Sequence, residues 1–273
     1  MTLLEISDLR VSFPGRGWRA KPTEVLHGVS LDVGEGETLG LVGESGSGKT
    51  TIGRAVLGLV KPSGGDILFQ GENITHVGVR ERRRLSKDIQ VVFQDPYTSL
   101  NPSLTIGDIL AEPLVVQGAT SRDARARVQT LLDQVGLPSD AAERLPREFS
   151  GGQRQRVAIA RALAPGPKLI VCDEPVSALD LSTQERVLKL FVEIQRATGV
   201  AYLFISHDLS VVRHISHRVA VLYRGDLVET GSAAKVTADP DHAYTKRLLL
   251  AAPVADPARQ LERREARKNL KVA

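Results

Sequence analysis

The stretch Gly43-Glu44-Ser45-Gly46-Ser47-Gly48-Lys49-Thr50 fits the pattern G-x-x-x-x-G-K-[ST] at every fixed position. The chemistry behind the pattern is phosphate binding. A triphosphate carries charges that water solvates well, and a protein that binds it must replace that solvation. Glycines let backbone N–H groups turn inward around the phosphates. Lys49 adds a point charge for the β and γ oxygens, and the Thr50 hydroxyl is a Mg²⁺ ligand. The flanks agree. Thr38-Leu39-Gly40-Leu41-Val42 reads as a short buried strand and Ile52 to Leu59 as the following helix. The phosphates would then sit on the positive helix N-terminus.

Working outward, Leu169-Ile170-Val171-Cys172-Asp173-Glu174 is an apolar strand that delivers two carboxylates at its C-terminal end. Ligands of parallel α/β sheets sit at such ends. Asp173 suits Mg²⁺, held through water. Glu174, one residue on, points elsewhere and can polarise an attacking water, a contribution of roughly 10²–10⁴-fold. Phe149-Ser150-Gly151-Gly152-Gln153 opens a helix with Ser150 as N-cap and makes a second anion-binding N-terminus. One nucleotide cannot easily occupy two such sites about a hundred residues apart in one chain. A second chain could bring this one to the far side of the same γ-phosphate.

The remaining pattern frames these pieces. Leu4, Ile6 and Leu9 to Phe13, then Val25 to Val33, read as an antiparallel sheet edge, with a further strand at Asp66 to Phe69 and another at Ile89 to Phe93. From about 95 to 165 strand patterns give way to Ala, Arg, Leu and Gln, with helices from Ser121 to about Val135 and from Ser150. Strand pattern returns at Lys168–Cys172. A helix from Thr183 to Thr198 closes at Gly199, a strand covers Ala201 to Ile205, and a hairpin turns at Arg224-Gly225. The fold class is therefore α/β: a P-loop NTPase core with a mostly parallel sheet, an N-terminal antiparallel β subdomain and an inserted α-helical subdomain. Residues 1–250 form the ATPase domain, with the insertion at about 95–165, and 251–273 form a charged tail.

Composition limits the alternatives. At 42% hydrophobic and 25% charged the 273-residue chain is ordinary for a soluble protein. Glu5 and Asp8 interrupt the first ten residues where a secretory signal needs an apolar core. The longest apolar runs, such as Leu248 to Ala255, fall far short of the roughly 18 residues that span a bilayer. A cytoplasmic chain is expected, one that can dock on a membrane protein. The single Cys172 cannot form an internal disulfide and reads as a core residue. The formal charge of +4 is local: residues 253–273 carry six Lys/Arg against three Asp/Glu, and Arg80-Glu81-Arg82-Arg83-Arg84 adds another +3. Each patch reads as a solvated helix face, with attraction to an anionic inner leaflet as the functional alternative. No nucleic-acid partner is expected.

Six motifs in order make a specific resemblance over about residues 3–250: GESGSGKT, Gln94 after a strand, FSGGQ, LIVCDE, Ser177-Ala178-Leu179-Asp180, and His207 after a strand. The chain resembles the ATP-binding subunit of an ABC transporter. The resemblance implies ATP and Mg²⁺ sandwiched between two subunits. Gly43, Glu44, Ser45, Gly46, Ser47, Gly48, Lys49, Thr50 and Thr51 of one chain would hold the phosphates. Ser150, Gly151, Gly152 and Gln153 would serve the other chain's ATP. Gln94 would sense Mg²⁺ and water and link to the permease, Asp180 would cross the dimer interface, and His207 would hold the γ-phosphate and orient the water. Phe13 is the expected adenine-stacking aromatic, with Trp18 in competition. Phe149 stands where the family more often has Leu and keeps the position apolar.

Three stretches resemble the oligopeptide, dipeptide and nickel importer subfamily: Phe93 to Pro102, Cys172 to Asp180, and Asp239 to Leu249, the last with Ala243 in place of the proline of a His-Pro-Tyr motif. Many longer members hold an iron–sulfur cluster through four tail cysteines. This chain has none of these, so it resembles the shorter of two ATPases. The implied partners are two transmembrane permease subunits, a second ATP-binding subunit and, indirectly, an extracytoplasmic solute-binding protein. The implied location is peripheral, on the cytoplasmic face of the bacterial inner membrane. Alternatives are a nickel or other small-solute importer ATPase, and a non-transport accessory ATPase of an enzyme complex.

Overall fold

A computed structural model of the chain describes residues 1–15, 21–95 and 99–251. The chain divides into two compact units: Met1–Val77 together with the residues from Leu203 onward, and Gly78–Tyr202.

In the first unit, β1 (Thr2–Phe13) lies between β2 (Thr23–Gly34) and β4 (Gly64–Phe69), with β5 (Glu72–Asn73) at the edge, all antiparallel. The hydrophobic residues of β1 change parity along the strand. Leu4 and Ile6 are buried, and then Leu9 and Val11. Strict alternation would put one pair on the wrong face. A register shift between Ile6 and Leu9, with Asp8 at φ 49°, absorbs the extra residue. The Asp8 N–H donates to Ser30 Oγ at 2.9 Å, which fixes the bulge.

The same unit holds β3 (Thr38–Val42), buried along its whole length. It pairs in parallel with β9 (Arg218–Tyr223), which turns at Arg224-Gly225 into antiparallel β10 (Asp226–Ser232). On the other side of β3 runs β8 (Ala201–Ser206), and the unit boundary falls within that strand. Arg218 ties β9 to β2 through both Asp32 carboxylate oxygens, at 2.9 and 3.0 Å. That bidentate pairing is the main reason the Asp32 carboxyl sits below its usual range. The helix after the phosphate loop, α1 (Lys49–Val56), starts earlier than the expected Ile52 to Leu59, because Gly48 serves as its N-cap, and it ends earlier, with Leu57 as C-cap and Gly58 next at φ 71°.

In the second unit, β6 (Ile89–Val92) and β7 (Leu169–Asp173) pair in parallel, Ile89 opposite Leu169 through Val92 opposite Cys172. Burial pushes the Cys172 thiol well up, as a core residue requires. Helices α2 (Val79–Leu85), α3 (Ile106–Val116), α4 (Ser121–Gln134), α5 (Gly151–Leu163) and α6 (Leu181–Thr198) belong to it, with short 3-10 turns at Ser139–Glu143 and Pro146–Glu148. α4 begins on Thr120, whose hydroxyl accepts from Asp123 N–H. α6 ends at Gly199 with φ 72°. The sequence pattern alone marks no helix at α3, because Pro113 sits inside it and reads as a break. Short helices α7 (Leu209–Ile215), α8 (Ala233–Ala238) and α9 (Ala243–Ala251) were likewise unmarked, and all belong to the first unit. No helix among the described residues is long and apolar enough to cross a membrane.

Candidate functional site: a phosphate loop and a capped glycine helix

In the first unit the loop between β3 and α1 is built around Lys49. Its side chain is buried, at 4% exposure, although it carries a charge. Lysine is seldom buried without partners, and here the loop supplies them. Nζ donates to the carbonyl oxygens of Gly43 and Glu44, each at 2.8 Å. The Ser47 hydroxyl lies at 3.5 Å. The ammonium is thus held inside the curl of the loop.

The start of α1 differs from the helix starts that carry a side-chain cap. Thr105, Thr120, Ser150, Asp180 and Ser232 each cap a helix with a side-chain oxygen that accepts a first-turn N–H. The N-cap of α1 is Gly48, which has no side chain to do so. Its φ of 108° and the close approach of Leu26 Cδ2, 2.6 Å from where a Cβ would be, require glycine. First-turn amides, the positive end of α1 and a buried ammonium therefore converge on one loop, which fits a polyphosphate. Thr50 and Thr51 lie in that first turn. Ser45 and Gly46 form the exposed crest of the loop.

Elsewhere in the first unit, His207 is exposed, directly after β8. The next residue caps α7: the Asp208 carboxylate accepts from Ser210 N–H at 2.7 Å, and Asp208 N–H donates to Ser206 Oγ at 3.0 Å. The histidine thus stands between two residues tied to each other. Phe13 ends β1 and is 40% exposed, an apolar ring open at a sheet corner. Trp18 lies outside the described residues.

In the second unit β7 ends in the two carboxylates. Asp173 is its last residue, and Glu174 follows at φ 49°. A left-handed glutamate is costly, of order 1–3 kcal/mol, and such residues gather where a site fixes them. The turn is fixed by Ser177, whose Oγ and N–H both donate to Glu174 O, at 3.0 and 3.3 Å. Gln94 is exposed just beyond β6.

The glycine helix α5 opens with a reciprocal cap. Ser150 Oγ accepts from Gln153 N–H at 3.3 Å, and Gln153 Oε1 accepts from Ser150 N–H at 2.9 Å. The S-x-x-Q spacing was a legible signal of this capping box. The Gln153 carbonyl oxygen is thus engaged in shaping the helix start. Ser150 is exposed, and its hydroxyl keeps its proton to donate. Gly152 faces α6: a Cβ there would lie 2.3 Å from Thr183 Cγ2. That methyl is stiff at χ1. Gly152→Ala is expected to destabilise the chain by about 1–3 kcal/mol through overpacking. Thr183→Ser removes the methyl and should restore most of the loss in thermal denaturation. If the double variant melts no higher than the single one, the clash is not the cause. Asp180 caps α6, accepting from Thr183 N–H and the Ser182 hydroxyl, which hold its carboxyl down at about 2. It is therefore ionised at any physiological pH.

Comparison with known proteins decides the family. The family model described as ABC transporter matches residues 26–177, more than half of the chain. The chain belongs to the ABC transporter family. It is 52% identical over 267 residues to the glutathione import ATP-binding protein GsiA of Escherichia coli (strain K12) and to that of Shigella flexneri. The match covers 96% of this chain and 43% of each relative, so the cassette spans less than half their length. Among solved structures, the ATP-binding cassette MJ0796, a dimeric post-hydrolysis state bound to ADP and Pi, matches with a TM-score of 0.75 at 29% identity. It covers 85% of this chain and 99% of that one. The cbiO1 protein of Clostridium perfringens, described as part of the ABC transporter complex cbiONQ, matches with a TM-score of 0.78 at 28% identity, over 87% of this chain and 91% of that one. The fold of this ABC cassette is the α/β P-loop nucleotide fold that its sequence implied.

Proposed function

We propose that this ABC cassette binds and hydrolyses ATP at a two-chain interface and so powers a bacterial importer of a peptide-type solute. The observation that carries the reading is the phosphate loop, with a buried Lys49 and an α1 that starts on a bare glycine. Its solvent-facing counterpart is the Ser150 helix start. Both are anion sites, and one nucleotide needs only one phosphate loop. The arrangement is economical when Lys49, Thr50 and Thr51 of one chain and Ser150 to Gln153 of another grip the same ATP. The likeness to a dimeric cassette bound to ADP and Pi supports this.

By their place in the family's motifs, Thr50, Gln94 and Asp173 would hold Mg²⁺, which would neutralise charge on the phosphate oxygens. Glu174 takes the proton of the attacking water, and His207 orients the γ-phosphate. Asp180 reaches the partner cassette, and Phe13 stacks on adenine. Residues 1–250 act as one ATPase domain with a helical insertion at about 95–165; of the charged tail, 251–273, residues 252–273 lie outside the described residues. ATP shifts the dimer toward closure because it contacts the closed state more than the open one. Permease helices docked near Gln94 to Pro102 follow. The solute class rests on the subfamily motifs and on relatives named for glutathione import.

Ser150→Arg tests the sandwich. It places a long cation where a partner's γ-phosphate would approach, and it is expected to cut hydrolysis at least 100-fold while the chain still binds ATP through its own loop. Loss of nucleotide binding in the mutated chain alone would sink the two-chain arrangement. The partners are tested by affinity purification from mild-detergent membranes with mass spectrometry. Two multi-span permeases and a second ATPase are expected at the cytoplasmic face of the inner membrane. Recovery of a soluble enzyme set with no membrane chain would overturn the transport role.

A further inference from the structure

The first unit contains a contact to the phosphate loop that no sequence motif marks as part of the nucleotide site. The Glu44 N–H donates to the hydroxyl oxygen of Tyr244 at 2.8 Å, across 200 residues of sequence. Tyr244 lies in α9 and is 1% exposed. Its ring packs on Tyr223 at the end of β9, centroids 4.2 Å apart. Burial raises the phenol, so it is a neutral hydroxyl at working pH.

The same peptide, Gly43–Glu44, is held at its other end. Its carbonyl, that of Gly43, accepts from Lys49 Nζ at 2.8 Å, and the next carbonyl, that of Glu44, accepts from the same Nζ at 2.8 Å and from Ser47 N–H at 3.2 Å. One peptide plane of the loop is thus clamped between the buried ammonium and the buried phenol. A peptide held on both sides cannot easily flip. Tyr244 is itself anchored. The Glu229 carboxylate of β10 accepts from the N–H groups of Asp241 and His242, at 2.7 and 3.1 Å, and Tyr244 N–H donates to His242 Nδ1 at 3.2 Å. Lys235 bridges Asp239 and Asp241, at 2.9 and 3.1 Å. The start of α9 is therefore a strut running from β10 to the phosphate loop.

We infer that Tyr244 is a positioning residue: its hydroxyl, held by the strut from Glu229, fixes the Glu44 peptide and keeps the phosphate loop in its nucleotide-binding shape. The inference rests on the ATP reading of that loop. Glu44 N–H points at Tyr244, so its work is to set the direction of the loop entry, and the later amides are left for phosphate. Without the hydroxyl the plane is held only from its carbonyl side, and the loop samples shapes that cannot bind. Apparent affinity falls in proportion to the competent fraction that remains.

The test uses the full chain and Mg·ATP in equilibrium binding, with amide exchange over residues 43–50 as a second readout. Tyr244→Phe keeps the ring and deletes the hydroxyl. It is expected to weaken ATP binding about fivefold, about 1 kcal/mol, the worth of one buried neutral hydrogen bond. Exchange in the loop should speed up in the nucleotide-free chain and return toward the wild-type rate when Mg·ATP is bound. Glu229→Gln, which touches neither the loop nor any residue assigned to nucleotide, should weaken binding in the same direction by a smaller factor. Unchanged affinity and unchanged exchange in Tyr244→Phe would overturn the inference. So would a lowered melting temperature with unchanged affinity, which is the mark of packing alone. Lys49→Ala separates the two readings: if it binds ATP as the wild type does, the ATP reading itself fails.

Discussion

Lys49→Ala is expected to abolish ATP turnover, lowering it at least 100-fold, and to remove measurable ATP binding at ordinary nucleotide concentrations. The size follows from the structure of the loop. Nζ is buried and held between two carbonyls at 2.8 Å, so its charge is already desolvated before nucleotide arrives. A charge that is fixed and dry stabilises a phosphate oxygen more than a solvated one does, because no water must be reorganised. Hydrogen bonds from charged donors are worth about 1.5–3 kcal/mol each, so one or two of them account for a loss of about 10²-fold or more. Removal of the side chain also strips a donor from the Gly43 and Glu44 carbonyls and loosens the loop. Two measurements suffice: phosphate release, and the thermal shift with Mg·ATP. The wild type should gain about 2.7 kcal/mol of stability at a hundred times its dissociation constant, and the variant should gain none. Hydrolysis near the wild-type rate would end the phosphate-loop assignment.

Glu174→Gln is expected to separate binding from chemistry. Turnover should fall roughly 10²–10⁴-fold, the usual contribution of a general base. ATP affinity should persist, and the variant should accumulate as a closed dimer visible by light scattering with ATP present. The fold should not suffer. The left-handed turn at residue 174 is held by Ser177 on the backbone carbonyl, and glutamine has the same backbone and nearly the same shape. A loss of turnover therefore reports the carboxylate itself. A variant that hydrolyses ATP as fast as the wild type would show that another group takes the proton.

The two variants differ in how far their residues were legible. Lys49, Thr50, Asp173 and Glu174 stand at fixed spacings next to apolar strands, and local sequence carries that signal because a loop and its flanking strand and helix are contiguous. The Ser150–Gln153 cap is equally local. The backbone at Glu174 was not legible, since a left-handed glutamate has no compositional mark and depends on what holds the turn. Gly152 could be read as a helix-start glycine, but its need to be glycine comes from Thr183 on another helix.

Length and spacing made the strands and the long helices readable, because each must bury a periodic face. Helix α3 escaped because Pro113 interrupts the signal while neighbours bury Ile106, Ile109 and Leu110 regardless. α7 and α8 are too short to show a period. Sequence alone determined the α/β class, the phosphate loop, the paired carboxylates and the family resemblance, because each is written in contiguous residues whose chemistry is their own. Only the tertiary structure decided that Tyr244 clamps the Glu44 peptide and that Thr183 demands Gly152. Those contacts join residues far apart in the chain, and their energy depends on distance and burial, which no local pattern encodes.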